Sequence, residues 1–344
     1  MVAYFHFPNQ TLAKDLYSVL TKNLIQFSVY LLFFPITAYA KGYDFIETFL
    51  EQSFAYTVVL SDSDVFTVGI KDFNPNELFN TDNPDLGTED SLANRKKYAI
   101  STLPMSFQLN NEEDRNKHQL FFRLSGLGTE EKVRWGDETV EDDFQQVIAD
   151  FYTAYRYEYK FDDHWRITPG FGVHLMRYEN TMDYNSATGK SYAPIFDGLL
   201  FNTTAWSNIY EPHLKLTYSK NENWGKWQYS AAGHYFYGYG WGEANEGEIG
   251  NSEGWYIVNS ATIVYNIEQI GRSIQSVYST VRRVDVGSDV SEPLGTSFYY
   301  EATVGWLMTP PFEISFVDNI GLGLTFNYGS AFKGGSLVLF FNQD

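Results

Sequence analysis

Asp150-Phe151-Tyr152-Thr153-Ala154-Tyr155-Arg156-Tyr157-Glu158-Tyr159-Lys160-Phe161, followed by the turn pair Asp162-Asp163 and then by His164-Trp165-Arg166-Ile167-Thr168, is where the architecture first becomes readable. In an extended chain, alternate side chains point to opposite faces. Phe151, Tyr155, Tyr157, Tyr159 and Phe161 then fall on one face, and Asp150, Arg156, Glu158 and Lys160 on the other. The two faces suit opposite solvents. Asp162-Asp163 reads as a two-residue reversal, so the Asp162-Asp163-His164 triplet is turn chemistry and not an acid–histidine pair.

The same alternation recurs on either side. Leu103, Met105, Phe107 and Leu109 oppose Pro104, Ser106 and Gln108, while Leu214, Leu216 and Tyr218 oppose His213, Lys215, Thr217 and Ser219. From about residue 63 onward, segments rich in aromatic and β-branched residues are separated by turn-forming stretches. Twelve strands are expected, near 63–71, 97–109, 117–127, 144–161, 164–179, 206–220, 224–240, 254–268, 273–284, 296–309, 312–328 and 333–341. Within 254–284 the alternation is less clean, and 269–276 is also compatible with a helix.

Connection lengths carry more weight than the strands. Long connections fall near 72–96, 128–143, 180–205, 241–253 and 285–295, and short ones at Asn110 to Asn116, Asp162-Asp163, Asn221 to Asn223, Gln269 to Arg272 and Pro310-Pro311. Alternating short turns and long loops are the habit of transmembrane barrels, and twelve strands in this order put both chain ends in the periplasm. The last long-side connection, Gly329 to Phe332, is short.

Composition agrees. Aromatic residues make up 18% of the 344 residues, with 26 Tyr and 28 Phe, as expected where rings line both polar edges of a bilayer. Mean hydropathy is −0.31. After residue 40 no run approaches the roughly 18 apolar residues of a spanning helix, so a membrane span has to be a strand and the strands have to close. The expected fold is therefore all-β: a transmembrane antiparallel up-and-down barrel of about twelve strands over residues 63–344. There is no cysteine, which removes thiolate nucleophiles, thiolate metal ligands and disulfides. The net charge of −19 argues against nucleic acid as a partner. Acid is concentrated in the expected loops, as in Asp82, Asp85, Glu89, Asp90, Glu130 and Glu131. Solvated loop charge is the simpler reading of it, and divalent cations at a lipopolysaccharide surface the more specific one.

Lys14 and Lys22, the apolar run Leu24 to Ile36 and Ala38-Tyr39-Ala40 form the three regions of a secretory signal peptide, residues 1–40, with cleavage after Ala40. Residues 1–40 carry two Lys and one Asp, so the expected mature chain has a charge of −20. In the segment 41–62, the spacing of Phe45, Ile46, Phe49 and Leu50 predicts a short amphipathic helix, with Glu47, Glu51 and Gln52 on another face. A lumen plug, a rim helix and an extension of the first strand all fit it.

Strand parity turns Arg123, Arg156, Glu158, Lys160, Arg166, Lys215 and Glu301 to the lumen as a charged ladder, each charge expected to face its opposite. His174, His213 and His234 point inward from three consecutive strands. They fit either a titratable or metal-binding cluster or isolated polar groups in a hydrated lumen, and the second reading demands less. Gly238-Tyr239-Gly240-Trp241-Gly242 reads as an aromatic girdle and loop exit and not as a phosphate loop, because no helix follows it. A phospholipase-like site would place Ser and His on the lipid side near the outer rim, and a protease Asp and His pairs at the mouth. No such grouping emerges, so no catalytic residue, cofactor or metal is assigned.

The C-terminal run Gly334-Gly335-Ser336-Leu337-Val338-Leu339-Phe340-Phe341 resembles the terminal strand signal of bacterial outer-membrane barrels, although Asn342-Gln343-Asp344 follow the aromatic where such signals end on it. The resemblance implies that Leu337, Leu339 and Phe341 are read by the barrel-assembly machinery. With twelve strands and a preceding segment suited to a lumen, residues 42–344 resemble the solitary autotransporter-type barrels. That implies integral residence in the outer membrane of a Gram-negative bacterium, among its lipid and lipopolysaccharide. It also implies a translocator-like shape with no passenger to carry and a structural or translocator-like role. A passive, cation-preferring pore and an outer-membrane hydrolase with an unrecognised site are the alternatives.

Overall fold

The computed structural model describes residues 43–62, 69–88, 99–111, 114–136, 138–312, 319–331 and 333–341. The expected signal segment 1–40 lies outside them. The elements are helix α1 (Asp44–Ser61), strand β1 (Gly69–Phe73), helix α2 (Pro75–Phe79), strands β2 (Ala99–Gln108), β3 (Lys117–Val133), β4 (Asp142–Lys160) and β5 (Trp165–Asp183), helix α3 (Ala187–Phe196), strands β6 (Thr204–Glu222), β7 (Gly225–Gly242), β8 (Glu253–Ile270) and β9 (Ser273–Ser288), helix α4 (Ser291–Leu294) and strands β10 (Phe298–Met308), β11 (Ile320–Tyr328) and β12 (Gly334–Phe341). All twelve strands form one antiparallel sheet in which, from β2 to β12, neighbours in sequence are neighbours in space, and β1 pairs with β12. Among the described residues no pairing joins β1 to β2, so the sheet is not closed between those two strands.

The two faces differ as hydrocarbon and a packed interior require. Outward-pointing Leu124, Phe151, Leu175, Leu214, Ile257, Ile263, Val281 and Val304 are exposed, while their inward neighbours are buried or half-buried. Aromatic rings collect near both rims. At the end where the loops lie, Trp206 stacks on Trp241 with centroids 6.3 Å apart, and Phe298 meets Tyr300 at 6.0 Å. At the end where the turns lie, Trp165 packs on Tyr218 at 5.0 Å, Tyr218 on Trp227 at 4.9 Å and Trp224 on Tyr265 at 6.0 Å. A band of apolar side chains between two aromatic girdles is the outer surface of a bilayer-spanning barrel.

Local chemistry closes the short turns. Asp162 Oδ1 accepts the N–H groups of His164 and Trp165, both at 2.7 Å, which fixes the β4–β5 reversal, and His164 stacks on Tyr218. Gly271, at φ 63°, supplies the left-handed residue of the β8–β9 turn. No helix replaces residues 269–276. A bulge between Asn266 and Glu268 interrupts the alternation there. On the opposite rim, the wholly buried Asp142 carboxylate accepts Trp135 Nε1 at 2.6 Å, the backbone N–H groups of Asn185 and Ser186 at 2.7 Å each, and the Ser186 hydroxyl at 3.0 Å. Two long loops are thereby tied together.

Among the three placements compatible with the sequence, α1 occupies the lumen, and at 18 residues it is longer than expected. Its Asp44 end lies at the loop-bearing rim, where the Tyr43 N–H donates to Asn245 Oδ1 at 2.6 Å, Glu51 Oε1 accepts the Asn251 N–H at 2.7 Å, and Gln52 Nε2 donates to Glu292 at 2.7 Å. Its Ser61 end reaches mid-barrel, beside Asp150 and Arg123. Ile46, Leu50, Phe54, Val58 and Val59 pack there with Ile148, Tyr178, Ile209, Phe236, Tyr256 and Val286 of the wall in one buried apolar cluster. The expectation that both chain ends lie at the turn-bearing rim holds for the β12 end, but α1 begins at the opposite rim because it descends through the lumen before β1 climbs back. The first described strand, β1, runs from Gly69 to Phe73, two residues beyond the expected end at 71, and the expected 63–68 lies outside the described residues; β11 is described from Ile320, with 313–318 likewise outside.

Glu51 stands at the loop rim, outside the spanning strands. Burial, opposed by the Asn251 hydrogen bond and reinforced by Asp289 and Glu47, pushes its carboxyl from 4.5 up to about 7. A raised value in the folded state means that its contribution to stability is complete below the ordinary carboxylate value and is lost as pH rises through 7. The barrel's urea midpoint is expected to fall between pH 5 and pH 8. Glu51→Gln should flatten that dependence, and an unchanged slope would refute the assignment.

Candidate functional site

The lumen has two halves. The loop-side half is filled by α1 and its apolar contacts, and the turn-side half is lined by polar groups. Hydroxyl pairs bridge strands in the lower half: Ser230 with Ser260 at 2.8 Å, Thr262 with Thr280 at 3.0 Å and Thr303 with Thr325 at 2.8 Å. Glu158 faces Arg166 at 3.6 Å, and Arg166 donates to Gln228 at 3.1 Å. Arg282 and Glu301 face each other at 3.4 Å.

Where the halves meet, below the tip of α1, buried polar side chains converge. Register aligns Tyr152 of β4 with His174 of β5, His213 of β6 with His234 of β7, and His234 with Tyr256 of β8. His174 uses both ring nitrogens on carboxylates: Nδ1 lies 3.1 Å from Asp150, and Nε2 lies 2.9 Å from Glu211 Oε2. Such an imidazole has no free nitrogen with which to activate a hydroxyl. The other oxygen of Glu211 lies 2.8 Å from His234 Nδ1 and accepts the Tyr152 hydroxyl at 3.3 Å. His234 stacks between Tyr256, at 4.2 Å, and His213, at 5.2 Å. Tyr256 in turn donates to Asp62 Oδ2 at 2.5 Å, and Asp62 Oδ1 meets Arg123 at 3.1 Å. The plug and the histidine cluster thus form one continuous network.

Two glycines make room for it. A Cβ on Gly172 would stand 2.3 Å from the Tyr152 ring, and one on Gly170 would stand 2.1 Å from His213 Nε2. His213 therefore lies flat over the backbone of β5. Glu211, His213 and His234 each offer one ligand atom, and these atoms lie within 4.8 Å of one another. Among the described residues, they are the group placed to hold a metal.

Of the residues that parity turned inward, Arg123, His174, His213, His234 and Glu301 are buried, and Arg156, Glu158, Arg166 and Lys215 are half-buried in the lower lumen. Lys160 shares their face but is exposed, because it lies at the last residue of β4, beyond the enclosed part. Arg156 departs from the expected ion-pair ladder by lying over the Phe121 ring at 4.0 Å. Leu339 points to the lipid side and Leu337 shares its face, whereas the Phe341 side chain is outside what is described. Asp62, Tyr152, Glu211 and Tyr256 were not singled out in the sequence. Glu211 carried a usable signal, since it stands two residues from His213 on the same strand face.

The profile of the solitary outer membrane autotransporter beta-barrel domain matches residues 51–343. No curated protein matches the chain. Among solved structures, LpxR from Salmonella typhimurium is similar at 10% identity with a TM-score of 0.35, covering 77% of this chain and 91% of that one.

Proposed function

The chain belongs to the solitary outer membrane autotransporter β-barrel family of the bacterial outer membrane, and from that premise we propose that it is a translocator-shaped barrel occluded by its own helix, with a structural and non-enzymatic role. The observation that carries this reading is the course of α1. The chain passes from the loop rim down the lumen to Asp62 and only then joins the wall at β1. A polypeptide delivered through a barrel to the cell exterior takes that path. In this reading the signal segment is removed after Ala40, the loop rim faces outward among lipopolysaccharide, acidic loops there attract divalent cations, and the strand carrying Leu337, Leu339 and Phe341 is presented to the barrel-assembly machinery.

A passive pore would need the loop-side half of the lumen to be vacant. The packing of Leu50, Phe54 and Val58 against Tyr178 and Phe236 argues for a sealed resting state.

The test is topological. An epitope placed immediately before Tyr43 should be reached by antibody on intact cells. Reactivity that appears only after the outer membrane is permeabilised would put the start of α1 on the wrong side and end the proposal.

A further inference from the structure

We propose that Glu211, His213 and His234 form a binding site for a divalent late transition metal, Zn2+ above all, at the floor of the plugged half of the lumen. Three observations converge on it. The donor set is one carboxylate oxygen and two imidazole nitrogens with their atoms within 4.8 Å, all from buried side chains. Two histidines and one glutamate with a fourth position open are a ligand set that Zn2+ accepts.

The second observation is His213. Its side chain is 4% exposed, both ring nitrogens are buried without a hydrogen-bond partner, and Nδ1 lies 3.7 Å from Glu211 Oε1. Buried polar atoms are almost always satisfied, so an orphan imidazole beside a carboxylate calls for a partner, and a metal ion bridging the two supplies one. Gly170 holds the ring there by leaving no side chain beneath it.

The third is the support behind the carboxylate. Glu211 Oε2 is held by His174, and His174 is held in turn by Asp150, while the Tyr152 hydroxyl reaches Oε1. A ligand oriented by a hydrogen-bonded second layer is the usual construction of a metal site. Asp62, Asp150 and Glu211 bring three carboxylates to the cluster, matched by the Arg123 and Arg156 guanidinium groups and by His174, which faces carboxylates with both nitrogens, so the attraction for a cation comes from the Glu211 oxygen itself and not from a net charge. Coordination displaces the proton shared by Glu211 Oε1 and His234 Nδ1, so uptake releases a proton and weakens as pH falls. The ion enters from the turn-side half, where Arg156, Glu158 and Arg166 are half-exposed.

The experiment uses the full mature barrel, refolded in detergent and stripped with a chelator. It is titrated with Co2+, read by the visible absorption of a low-coordinate site, and with Zn2+, read by calorimetry. One Co2+ per chain, displaced by Zn2+, is expected. His213→Ala removes no hydrogen bond from the folded protein and should abolish saturable binding without unfolding the barrel, and His234→Ala should do the same. His174→Ala should weaken binding about 10- to 100-fold. His118→Ala and His164→Ala, at the turn rim, should leave it unchanged. Absence of saturable binding in the wild type, or binding of equal strength in His213→Ala, would overturn the site.

Discussion

Deleting residues 44–60 is expected to turn a silent protein into a conducting one. In planar bilayers the intact barrel should show no steady current, and the deletion variant should show stepwise openings that prefer cations. The helix removed is what fills the loop-side lumen. Ile46, Leu50, Phe54 and Val58 are each 1% exposed or less, and their neighbours are residues of the wall and of the loop helices. Each such side chain contributes about 1.5–3 kcal/mol when fully buried, so the resting plug is firmly seated. The deletion spares Ser61 and Asp62, and therefore the contact with Arg123. It also spares Glu248, Asp289 and Glu292 at the rim, whose charge sets the selectivity. The wall keeps its strand pairing because no strand residue is touched. A deletion variant that folds, as judged by its mobility shift on SDS gels before and after heating, yet stays silent would mean that the loops and not α1 close the passage.

Twelve strands were legible because two independent periodicities agreed: side-chain alternation within strands and loop-length alternation between them. Where only one was present, reading was harder. In β8, Ile263 and Tyr265 alternate outward until the bulge at Asn266 to Glu268 inserts an extra residue, after which Glu268, Gln269 and Ile270 are all exposed. The bulge breaks the parity that sequence reading relies on. For α1 the difficulty was the opposite. Phe45, Ile46, Phe49 and Leu50 leave a polar face at the rim, but from Gln52 to Asp62 every side chain is buried. A helix enclosed on all sides has no polar stripe to reveal it.

The polar cluster was half legible for a related reason. Parity fixes which face His174, His213 and His234 share, but not how deep each lies. Depth depends on the stagger between strands, which brings Gly170 opposite His213 and Tyr256 opposite His234. Loops of unequal length leave that stagger undetermined in the sequence. The partner at the tip of α1, Asp62, lies 61 residues from Arg123 and on no strand, so no periodic pattern links them.

Arg123→Ala is expected to destabilise the barrel by about 3–5 kcal/mol, the cost of leaving a buried carboxylate without its counter-charge. The side chains of Arg123 and Asp62 are 2% and 3% exposed, so neither can turn to bulk water when the other is removed. Arg123 also donates to Ser61 at 3.4 Å and lies over the Tyr152 ring at 4.6 Å, and both contacts vanish with it. Arg123→Lys keeps the charge but loses the planar fork that reaches Asp62 and Ser61 together, so an intermediate loss is expected. The double variant Arg123→Met with Asp62→Asn should recover much of the stability, because the pair is imperfect: Arg123 Nε meets no partner, and a buried ion pair contributes little beyond an apolar replacement. Urea midpoints in detergent measure all three. If Arg123→Ala unfolds within about 0.5 kcal/mol of the wild type, the range of an ordinary surface substitution, then the tip of α1 is held by its apolar contacts alone. The Asp62–Arg123 bridge would in that case not anchor the plug.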